Sequence, residues 1–336
     1  MGRGDQEGPD HAGIKPMLKR IAILDDYQGL ALTLADWSVL GDAVSVQVFT
    51  EPASSEATLV ERLQDFDVIV AMRERTAFPA SVIERLPRLK LLASTGLRNA
   101  AIDLEACRRQ CITVCGARGA RNGLAATAET AWALMLALHK RLLVSHTALC
   151  AGHWQPQLAQ ALEGKVLGIA GLGHIGKRMA RIGQAFGMDV IAWSPNLTDE
   201  RAAQAGVRKV EKTELFEAAN VVTLHLVLSP TTASVVSRVE LAAMQTDAFL
   251  VNTARAGLVD EDALIDALHM RRIGGAGLDV FWQEPLPSTH PLCGFENVVL
   301  TPHLGYATAE NLSAFYGGVI DNIRAWLDGR KLVLLS

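Results

Sequence analysis

The sequence predicts an α/β protein with two doubly wound parallel-sheet domains. The first observation is that short runs rich in Val, Ile and Leu alternate with helix-length amphipathic stretches from Arg20 onward, the pattern of repeated strand–helix–strand units. The second is that this series occurs twice, before and after a long helical stretch at 125–143. The third is length, because 336 residues are enough for about two domains.

Composition narrows the class of protein. The chain has 32 Lys and Arg against 36 Asp and Glu, a formal net charge of −4, so no global positive field is present to hold nucleic acid or anionic lipid. The longest apolar runs, such as 132–138, fall short of the roughly 20 residues that cross a bilayer. We therefore expect neither a nucleic-acid nor a membrane partner.

The cysteine count and the first residues bear on location. Five cysteines in a long chain favour a reducing compartment, and the cytoplasm is the expected location. The spacing of Cys107, Cys111 and Cys115 is open to a metal-site interpretation, but a helix ending near 110 and a strand from 112 would separate the three side chains, so we expect no metal.

Residues 1–16 are polar and Gly-rich, which predicts a disordered extension or a cloning remnant.

The elements follow in order along the chain. In the first series we predict strands at 21–24, 44–49, 68–71, 89–93 and 112–115, with helices at 56–64, 79–86 and 104–109. In the second series we predict six strands, at 166–170, 190–193, 221–226, 249–253, 277–281 and 298–302. A last amphipathic helix at 308–329 is too little for a third domain, so we expect it to return and pack on the first.

A glycine-rich turn opens the second series, directly after its first strand. It reads Gly-Leu-Gly-His-Ile-Gly and is followed by a helical pattern. The first glycine allows a tight turn, the second lets a pyrophosphate approach the backbone, and the third lets the helix pack closely on the strand. The helix start adds free N–H groups for the phosphates. The turn therefore predicts dinucleotide binding, with contacts from Gly171, Gly173, His174, Ile175 and Gly176.

The end of the next strand bears on the choice of dinucleotide. An Asp or Glu about 20 residues after the turn would bond the adenosine ribose hydroxyls, but the sequence there is Ala-Trp-Ser-Pro-Asn, and Ser194 stands at the position. Without a carboxylate a 2′-phosphate is not repelled, yet no Arg adjoins Ser194 in sequence to attract one. We expect NAD or NADP as the cofactor, with the preference open.

Three further segments lie at the carboxyl ends of predicted strands, at 252–257, 277–285 and 301–305. Open α/β sheets bind their ligands at such strand ends, and the segments put Arg255, Glu284 and His303 on neighbouring loops. A planar guanidinium suits a carboxylate, and an imidazole suits proton transfer near neutral pH. A glutamate beside the imidazole would orient it and favour its protonated form. The set predicts a catalytic group that handles a small carboxylic acid.

Together with the glycine-rich turn, these segments resemble the D-isomer-specific 2-hydroxyacid dehydrogenase family. Its members include D-lactate, D-glycerate, hydroxypyruvate/glyoxylate and 3-phosphoglycerate enzymes, and the resemblance covers nearly all of 20–329. It implies a Rossmann cofactor domain at 125–303, inserted into a flavodoxin-like substrate domain at 17–124 and 304–336. It also implies an active site in the cleft between the domains and hydride transfer between a nicotinamide cofactor and a small D-2-hydroxy acid or 2-keto acid.

The resemblance assigns roles to residues of the second domain. Arg255 matches the substrate-binding arginine, His303 the acid/base histidine and Glu284 its carboxylate partner. Asp279 matches the acid that contacts the nicotinamide carboxamide. The remaining cofactor-side positions are Thr253 and Ala254, near the nicotinamide ribose, and Leu226, in a segment that usually has Pro where Val227 stands.

In the first domain, the segment 94–99 matches the loop whose backbone N–H groups hold the substrate carboxylate. Its expected substrate-binding residues are Gly96, Leu97 and Arg98. Five arginines on predicted loops could receive a second anionic group, although most such side chains are solvated: Arg73, Arg75, Arg98, Arg118 and Arg121. The regulatory extension of many phosphoglycerate enzymes is not seen after 329, which favours a 2-keto acid such as glyoxylate or hydroxypyruvate.

The oligomeric state can also be predicted, and both the function and the partner of His303 have an alternative interpretation. The crossing helix and the polar arm around His153 and Trp154 resemble the family's dimer-forming region, so we expect a homodimer. A nucleotide-sensing corepressor on the same fold is the alternative function, but the chain has no polybasic or partner-peptide segment. A formate-dehydrogenase-like pairing of His303 with Gln283 is less favoured than pairing with Glu284, because of the expected strand-end register.

Overall fold

The computed structural model describes residues 19–121 and 123–335. These residues form two compact units. The first contains the described residues up to Ala120 and those from Leu312 onward, and the second is Arg121–Asn311. The extension expected at 1–16 lies outside the described residues. The assignment of 17–124 with 304–336 to substrate and of 125–303 to cofactor stays a prediction.

The first unit is built on a five-stranded, fully parallel sheet with the order β2-β1-β3-β4-β5. Its strands are β1 Lys19–Ile23, β2 Val44–Val48, β3 Val68–Ala71, β4 Leu91–Thr95 and β5 Thr113–Ala117. The chain winds from β1 to one edge and then from β3 to the other, which is the flavodoxin-like order. Every residue of β3 and β4 is buried, as expected for central strands covered on both faces.

The α-helices that connect the strands of the first unit are α1 Ala31–Leu34, α2 Glu56–Leu63, α3 Ala80–Ile83 and α4 Leu104–Arg109, with a 3₁₀ turn at Trp37–Leu40. Two of these four, α2 and α4, begin after a short polar side chain that accepts a backbone hydrogen bond. The Ser55 hydroxyl accepts from the Thr58 N–H at 3.1 Å before α2, and the Asp103 carboxylate accepts from the Ala106 N–H at 2.9 Å before α4. Such caps satisfy N–H groups that the helix itself leaves open.

The second unit contains a seven-stranded parallel sheet with the order β12-β11-β10-β9-β6-β7-β8. Its strands are β6 Val166–Ala170, β7 Asp189–Trp193, β8 Arg208–Lys209, β9 Val221–Leu224, β10 Phe249–Asn252, β11 Gly275–Leu278 and β12 Val298–Leu300. Counted from β6, the order 3-2-1-4-5-6-7 is that of a Rossmann sheet with one added strand. The predicted class of fold, two doubly wound parallel sheets, is confirmed.

The sequence pattern predicts six strands for this sheet, and the structure adds a seventh, β8. That strand has only two residues, both exposed and both cationic, and it pairs with Ile191 and Ala192 of β7. An edge strand of this kind has no apolar pattern, because it buries no face.

The long helix expected at 125–143 is also corrected. It is two helices, α5 Gly123–His139 and α6 Leu142–Cys150, with Arg141 between them at a φ of 54°. A left-handed residue cannot continue a right-handed helix, so the chain turns there although the apolar pattern continues. The whole of α5 packs into the unit through residues such as Trp132 and Met135, whereas α6 buries none of its residues.

The remaining helices of the second unit cover both faces of the sheet. They are α7 His174–Ala185, α8 Asp199–Gln204, α9 Lys212–Ala218, α10 Arg238–Ala243 and α11 Glu261–His269, with 3₁₀ turns at Ala256–Leu258 and Pro291–Gly294. Neighbouring residues of one strand enter different cores: Phe249 and Val251 pack with α5 and α7, and Leu250 packs with α9 to α11. The sheet therefore lies between two apolar layers.

The last helix, α12 Ala309–Leu327, joins the first unit from Leu312 onward. Its Asn322 is buried, and the side-chain amide donates to the carbonyl of Gly116 at 3.1 Å and accepts from the N–H of Val333 at 3.0 Å. The N–H of Gly116 donates to the carbonyl of Val333 at 2.9 Å. These bonds fix the last segment of the chain against the end of β5.

Two further findings concern classes of site. Within 19–121 and 123–335, no helix has the length and apolar character to cross a membrane, and no three metal-ligating side chains cluster. Burial raises the pKa of the Cys107 thiol to about 11 and that of Cys115 to about 12. These thiols stay protonated at neutral pH, whereas a metal binds the thiolate.

Candidate functional site

In the second sheet, six parallel strands are paired so that their carboxyl ends are aligned. The residues in register across their carboxyl ends are Trp193, Ala170, Leu224, Asn252, Leu278 and Leu300. Every cofactor and catalytic residue predicted from the sequence lies within six positions after one of these residues. The six residues, here named the strand-end row, therefore place all of those loops on one edge of the sheet, where doubly wound folds bind their ligands.

The glycine-rich turn connects β6 to α7. Gly171 has a φ of 106°, and a side chain there would meet the backbone of His225 at 2.6 Å. A Cβ on Gly176 would lie 2.1 Å from the carbonyl oxygen of Gly171. A Cβ on Gly173 would meet nothing within 4 Å, which leaves open space directly in front of the helix. Two glycines are thus needed for folding, and the third leaves room for a ligand beside the backbone.

The residues between and after these glycines begin α7. His174 is the first residue of the helix and is exposed, while Ile175 packs partly into the core below the sheet. Gly173, just before the helix, contributes no side chain that would cap the open N–H groups. These N–H groups, the helix dipole and the open space at Gly173 fit the pyrophosphate of a dinucleotide.

The loop after β10 is held by an asparagine that sequence reasoning missed. The buried side chain of Asn252 accepts from the N–H of Ala254 at 3.0 Å and donates to the carbonyl of Arg255 at 2.9 Å. The Arg255 guanidinium donates to the Ala254 carbonyl at 2.8 Å and is half-buried. The only available sequence signal was a polar residue at the end of an otherwise apolar strand.

Thr253 lies in the same turn. Its hydroxyl oxygen is buried and has no hydrogen-bond partner among the described residues. Buried polar groups in proteins are nearly always paired, so an orphaned hydroxyl beside the strand-end row is what a site completed by a ligand would contain. This observation is a second one that fits a bound dinucleotide.

His303 and Glu284 form a pair after β12 and β11. The ring Nδ1 of His303 lies 2.7 Å from Oε2 of Glu284, and Oε1 of Glu284 accepts from the N–H of Phe281 at 3.0 Å. Both side chains keep about a quarter of their surface exposed. Gln283 is exposed, so the carboxylate and not the amide orients the imidazole. The pair has the geometry of a positioned acid/base group.

Asp279 holds the loop that carries His303. Its Oδ1 accepts from the Thr301 hydroxyl at 2.6 Å and the Leu304 N–H at 2.7 Å, and Oδ2 accepts from the Gly305 N–H at 2.8 Å. His303 itself has a φ of 54°, a conformation that a non-glycine residue keeps only when its surroundings enforce it. Burial raises the pKa of Asp279 despite these bonds.

Tyr306 packs against the imidazole and was not singled out from the sequence. Its ring centroid lies 5.3 Å from that of His303, with the planes at 86° to each other. This edge-to-face contact limits rotation of the imidazole, in addition to the bond with Glu284. No local pattern predicts such a contact, since Tyr306 is simply an aromatic residue in a loop.

The segment after β9 contains a second histidine, with different properties. The ring Nε2 of His225 lies 2.9 Å from the Thr223 hydroxyl, and burial lowers the pKa of His225 to about 3. This imidazole is neutral at physiological pH and cannot act as a general acid there. Leu226 follows it half-buried, and Val227 is exposed. His303 is therefore the better acid/base candidate of the two.

The predicted substrate loop belongs to the first unit, after β4. Gly96 is buried, Leu97 half-buried and Arg98 exposed. The Gly96 N–H donates to the Ala117 carbonyl at 2.8 Å, so this group is already used inside the unit. A Cβ on Gly96 would lie 2.7 Å from the guanidinium of Arg73, which places that side chain directly over the loop.

The other arginines differ in their surroundings. Arg75 donates to the Asp25 carbonyl at 2.8 Å and stacks on Tyr27 at 4.5 Å, while Arg118 and Arg121 are exposed. Arg73 is therefore the arginine among these that contacts the predicted substrate loop.

Comparison with known proteins agrees with this geometry. Residues 132–305 match the family model described as the NAD binding domain of D-isomer specific 2-hydroxyacid dehydrogenases. The chain is 33% identical over 282 residues to glyoxylate reductase of Aeropyrum pernix, covering 81% of this chain and 83% of that one. A solved phosphoglycerate oxidoreductase of Vibrio cholerae superimposes with a TM-score of 0.87 at 35% identity, over 93% of this chain and 99% of that chain.

The D-3-phosphoglycerate dehydrogenase of Methanocaldococcus jannaschii is 36% identical over 294 residues, which are 87% of this chain and 55% of that protein. The chain spans about half the length of the D-3-phosphoglycerate dehydrogenases of Methanocaldococcus jannaschii, Synechocystis and Mycobacterium leprae.

The fold and the strand-end row together are those of a Rossmann-type dinucleotide-binding domain. The family match makes this more specific. The chain belongs to the D-isomer specific 2-hydroxyacid dehydrogenase family and contains its NAD-binding domain.

The glycine-rich turn provides a matched pair of substitutions. Gly176→Ala would put a methyl group 2.1 Å from a backbone oxygen, and we expect it to lower the free energy of unfolding by about 1–3 kcal/mol or more. Gly173→Ala meets no protein atom, so we expect near-normal stability but weaker dinucleotide binding. Urea unfolding and calorimetric titration measure the two effects. Equal stability of the two variants would contradict the assignment of separate roles.

Proposed function

We propose that this protein is an NAD(P)-dependent D-2-hydroxyacid dehydrogenase that interconverts a small 2-hydroxy acid and the corresponding 2-keto acid. The observation that carries the proposal is the His303–Glu284 pair, set among the cofactor loops of one Rossmann sheet. A pair of this geometry anywhere else on the surface would have no hydride acceptor beside it.

In this proposal each polar group does one task. Arg255 binds the substrate carboxylate and the reacting oxygen, because its planar fork can donate two hydrogen bonds at once. His303 takes the hydroxyl proton during oxidation and returns it during reduction, through the ring nitrogen not bonded to Glu284. Glu284 holds the ring in position, and Asp279 fixes the loop on which the ring lies.

The cofactor site uses the loops of the strand-end row. We assign the pyrophosphate to Gly171, Gly173 and the start of α7, with His174, Ile175 and Gly176 forming the turn around it. Ser194 and Leu226 lie toward the adenosine, and Thr253, Ala254 and Asp279 lie toward the nicotinamide. The nicotinamide ring supplies the hydride acceptor or donor. The arrangement keeps the chemistry at the edge where β10, β11 and β12 end.

The substrate is a small 2-keto or 2-hydroxy acid. Relatives are named glyoxylate reductase and D-3-phosphoglycerate dehydrogenase. The substrates in these two names share a 2-oxo or 2-hydroxy carboxylate, but they differ in size and in the presence of a phosphate. We favour a glyoxylate- or hydroxypyruvate-like substrate, with Gly96, Leu97 and Arg98 on the substrate side. A phosphorylated substrate would need a second cationic group, for which Arg73 is the candidate.

A substrate panel tests the proposed activity. With reduced NAD and reduced NADP in parallel, we expect absorbance of the reduced nicotinamide to fall with glyoxylate, hydroxypyruvate or another small 2-keto acid. The D-hydroxy acid, and not its L-isomer, should drive the reverse reaction. No turnover with any 2-keto acid, combined with capture of a partner protein, would support the corepressor alternative. The relatives reported above, named as dehydrogenases and reductases, give that alternative no support.

Substitutions in the catalytic group test the roles. His303→Ala should lower kcat by about 10² to 10⁴, because a positioned acid/base contributes that much. Arg255→Ala should lower kcat and raise KM for the 2-keto acid, because the substrate carboxylate loses its hydrogen bonds with the guanidinium. The matched control is His290→Ala, which removes a second histidine–glutamate pair, 2.9 Å from Glu261, outside the strand-end row. Near-normal turnover of the His303 variant would remove the proposed base.

We propose a homodimer formed through the arm that begins with α6. This helix is largely apolar yet buries none of its own residues, and Trp154 and Leu158 beyond it are 79% and 93% exposed. An apolar segment of this length is normally covered by another surface. The expected location, the cytoplasm, agrees with five free cysteines but stays a prediction.

Light scattering at micromolar concentration should give the mass of two chains. We expect Leu149→Glu, on the exposed side of α6, to shift the mass toward that of one chain. Val239→Glu, an equally drastic change at an exposed position on α10, is the matched control and should leave the dimer intact. A monomer mass for the unaltered protein would contradict the assembly.

A further inference from the structure

The turn after β7 lies at the adenosine end of the proposed cofactor site. β7 ends at Trp193 in the strand-end row, and the N–H of Leu197 donates to the Ser194 carbonyl at 3.1 Å to close a four-residue turn. In Rossmann folds a carboxylate here bonds both ribose hydroxyls and repels a 2′-phosphate. Positions 194–198 of this chain carry no carboxylate, and the first one comes at Asp199.

Arg201 is seven positions after Ser194 in the sequence, but its side chain reaches this turn in the structure. The guanidinium of Arg201, on α8, donates to the carbonyl of Asn196 at 3.0 Å, and its backbone N–H donates to the Thr198 hydroxyl at 3.3 Å. The side chain is exposed. Among the described residues no carboxylate lies within ion-pair distance of Arg201, so its positive charge is available to a ligand.

Two lysines next to the end of β7 are already paired with carboxylates. Lys209 pairs with Asp199 at 3.2 Å, and Lys212 pairs with Glu240 at 2.8 Å. Hydrogen bonding to its own backbone N–H and to the Thr198 hydroxyl lowers the pKa of the Glu200 carboxyl, next to Arg201. The guanidinium of Arg201 is therefore the cation of this group that is not neutralised by a partner.

We propose that the adenosine end of the site recognises a 2′-phosphate, so that the chain binds NADP(H) in preference to NAD(H), with Arg201 and Ser194 as the specificity-determining residues. The inference rests on the proposed function only in requiring that a dinucleotide binds at the strand-end row. Arg201 bonds the phosphate through its free N–H groups, because guanidinium and phosphate form charge-assisted pairs. The Ser194 hydroxyl is a further donor on the same turn.

Adenosine fragments test this inference without any catalytic step. Calorimetric titration of the full chain with adenosine 2′,5′-bisphosphate and with adenosine 5′-monophosphate isolates the effect of the 2′-phosphate. We expect the bisphosphate to bind about tenfold more tightly or better, the order of one charge-assisted hydrogen bond. NADP⁺ and NAD⁺ should show the same order of Kd values. Higher ionic strength should reduce the difference, since Arg201 is exposed.

Two variants and one control assign the effect to the turn. Arg201→Gln should remove most of the preference without changing the affinity for the monophosphate. Ser194→Asp should reverse the preference, because the new carboxylate repels the phosphate and can bond the ribose hydroxyls. Arg238→Gln removes an equally exposed arginine, paired with Asp266 on α11, and should leave both affinities unchanged.

Each outcome decides one question. Equal binding of the two fragments, or tighter binding of the monophosphate, would overturn the inference while leaving dinucleotide binding in place. A preference that survives in the Arg201 variant would overturn the role of that residue. Absence of binding by both fragments and both dinucleotides would instead contradict the proposed function itself.

Discussion

The alignment of the carboxyl ends of the parallel strands in the second sheet is the constraint on which the candidate site depends. Backbone pairing from β7 across to β12 keeps six carboxyl-terminal residues in register, so loops that are more than 100 residues apart in sequence leave the same edge of the sheet. A slip of one residue in any pair would move a loop by one strand residue and turn the side chains of that strand to the opposite face of the sheet. The two apolar layers on the sheet faces oppose such a slip, because each strand residue belongs to one of them.

Short hydrogen bonds from polar side chains fix the conformations of the loops that leave these strand ends. Asn252 shapes the turn before Arg255, and Asp279 receives three hydrogen bonds from the segment around His303. Both side chains are almost completely buried, so each lost bond would leave a polar group without water or protein to satisfy it. The left-handed backbone at His303 is kept in this way by Asp279, the first residue after the neighbouring strand β11.

The sequence predicted the regular parts of the fold well, for a physical reason. β3, β6 and α4 have the predicted bounds, because buried β-branched runs and a capped helix carry local signals. β8 and the break at Arg141 were missed. The first has no buried face, and the second lies in an apolar pattern that continues across a turn.

The site residues were named from strand ends and from resemblance, but their partners were not. The reach of Arg201 to Asn196, the contact of Tyr306 with His303 and the bracing by Asp279 join residues on separate elements or around a tight loop. Such contacts depend on side-chain direction and on three-dimensional distance, for which one sequence contains no local pattern.

The two oxygens of Glu284 have separate partners, an imidazole nitrogen and the amide of Phe281. A carboxylate only accepts hydrogen bonds in its ionised form, so the bonded ring nitrogen must carry hydrogen, and the neutral ring is fixed in a single tautomer. In the neutral ring of His303, Nε2 then carries the lone pair and is the nitrogen that can take a proton. The direction from which a proton can be taken or returned is thus set by a backbone amide three residues before the glutamate.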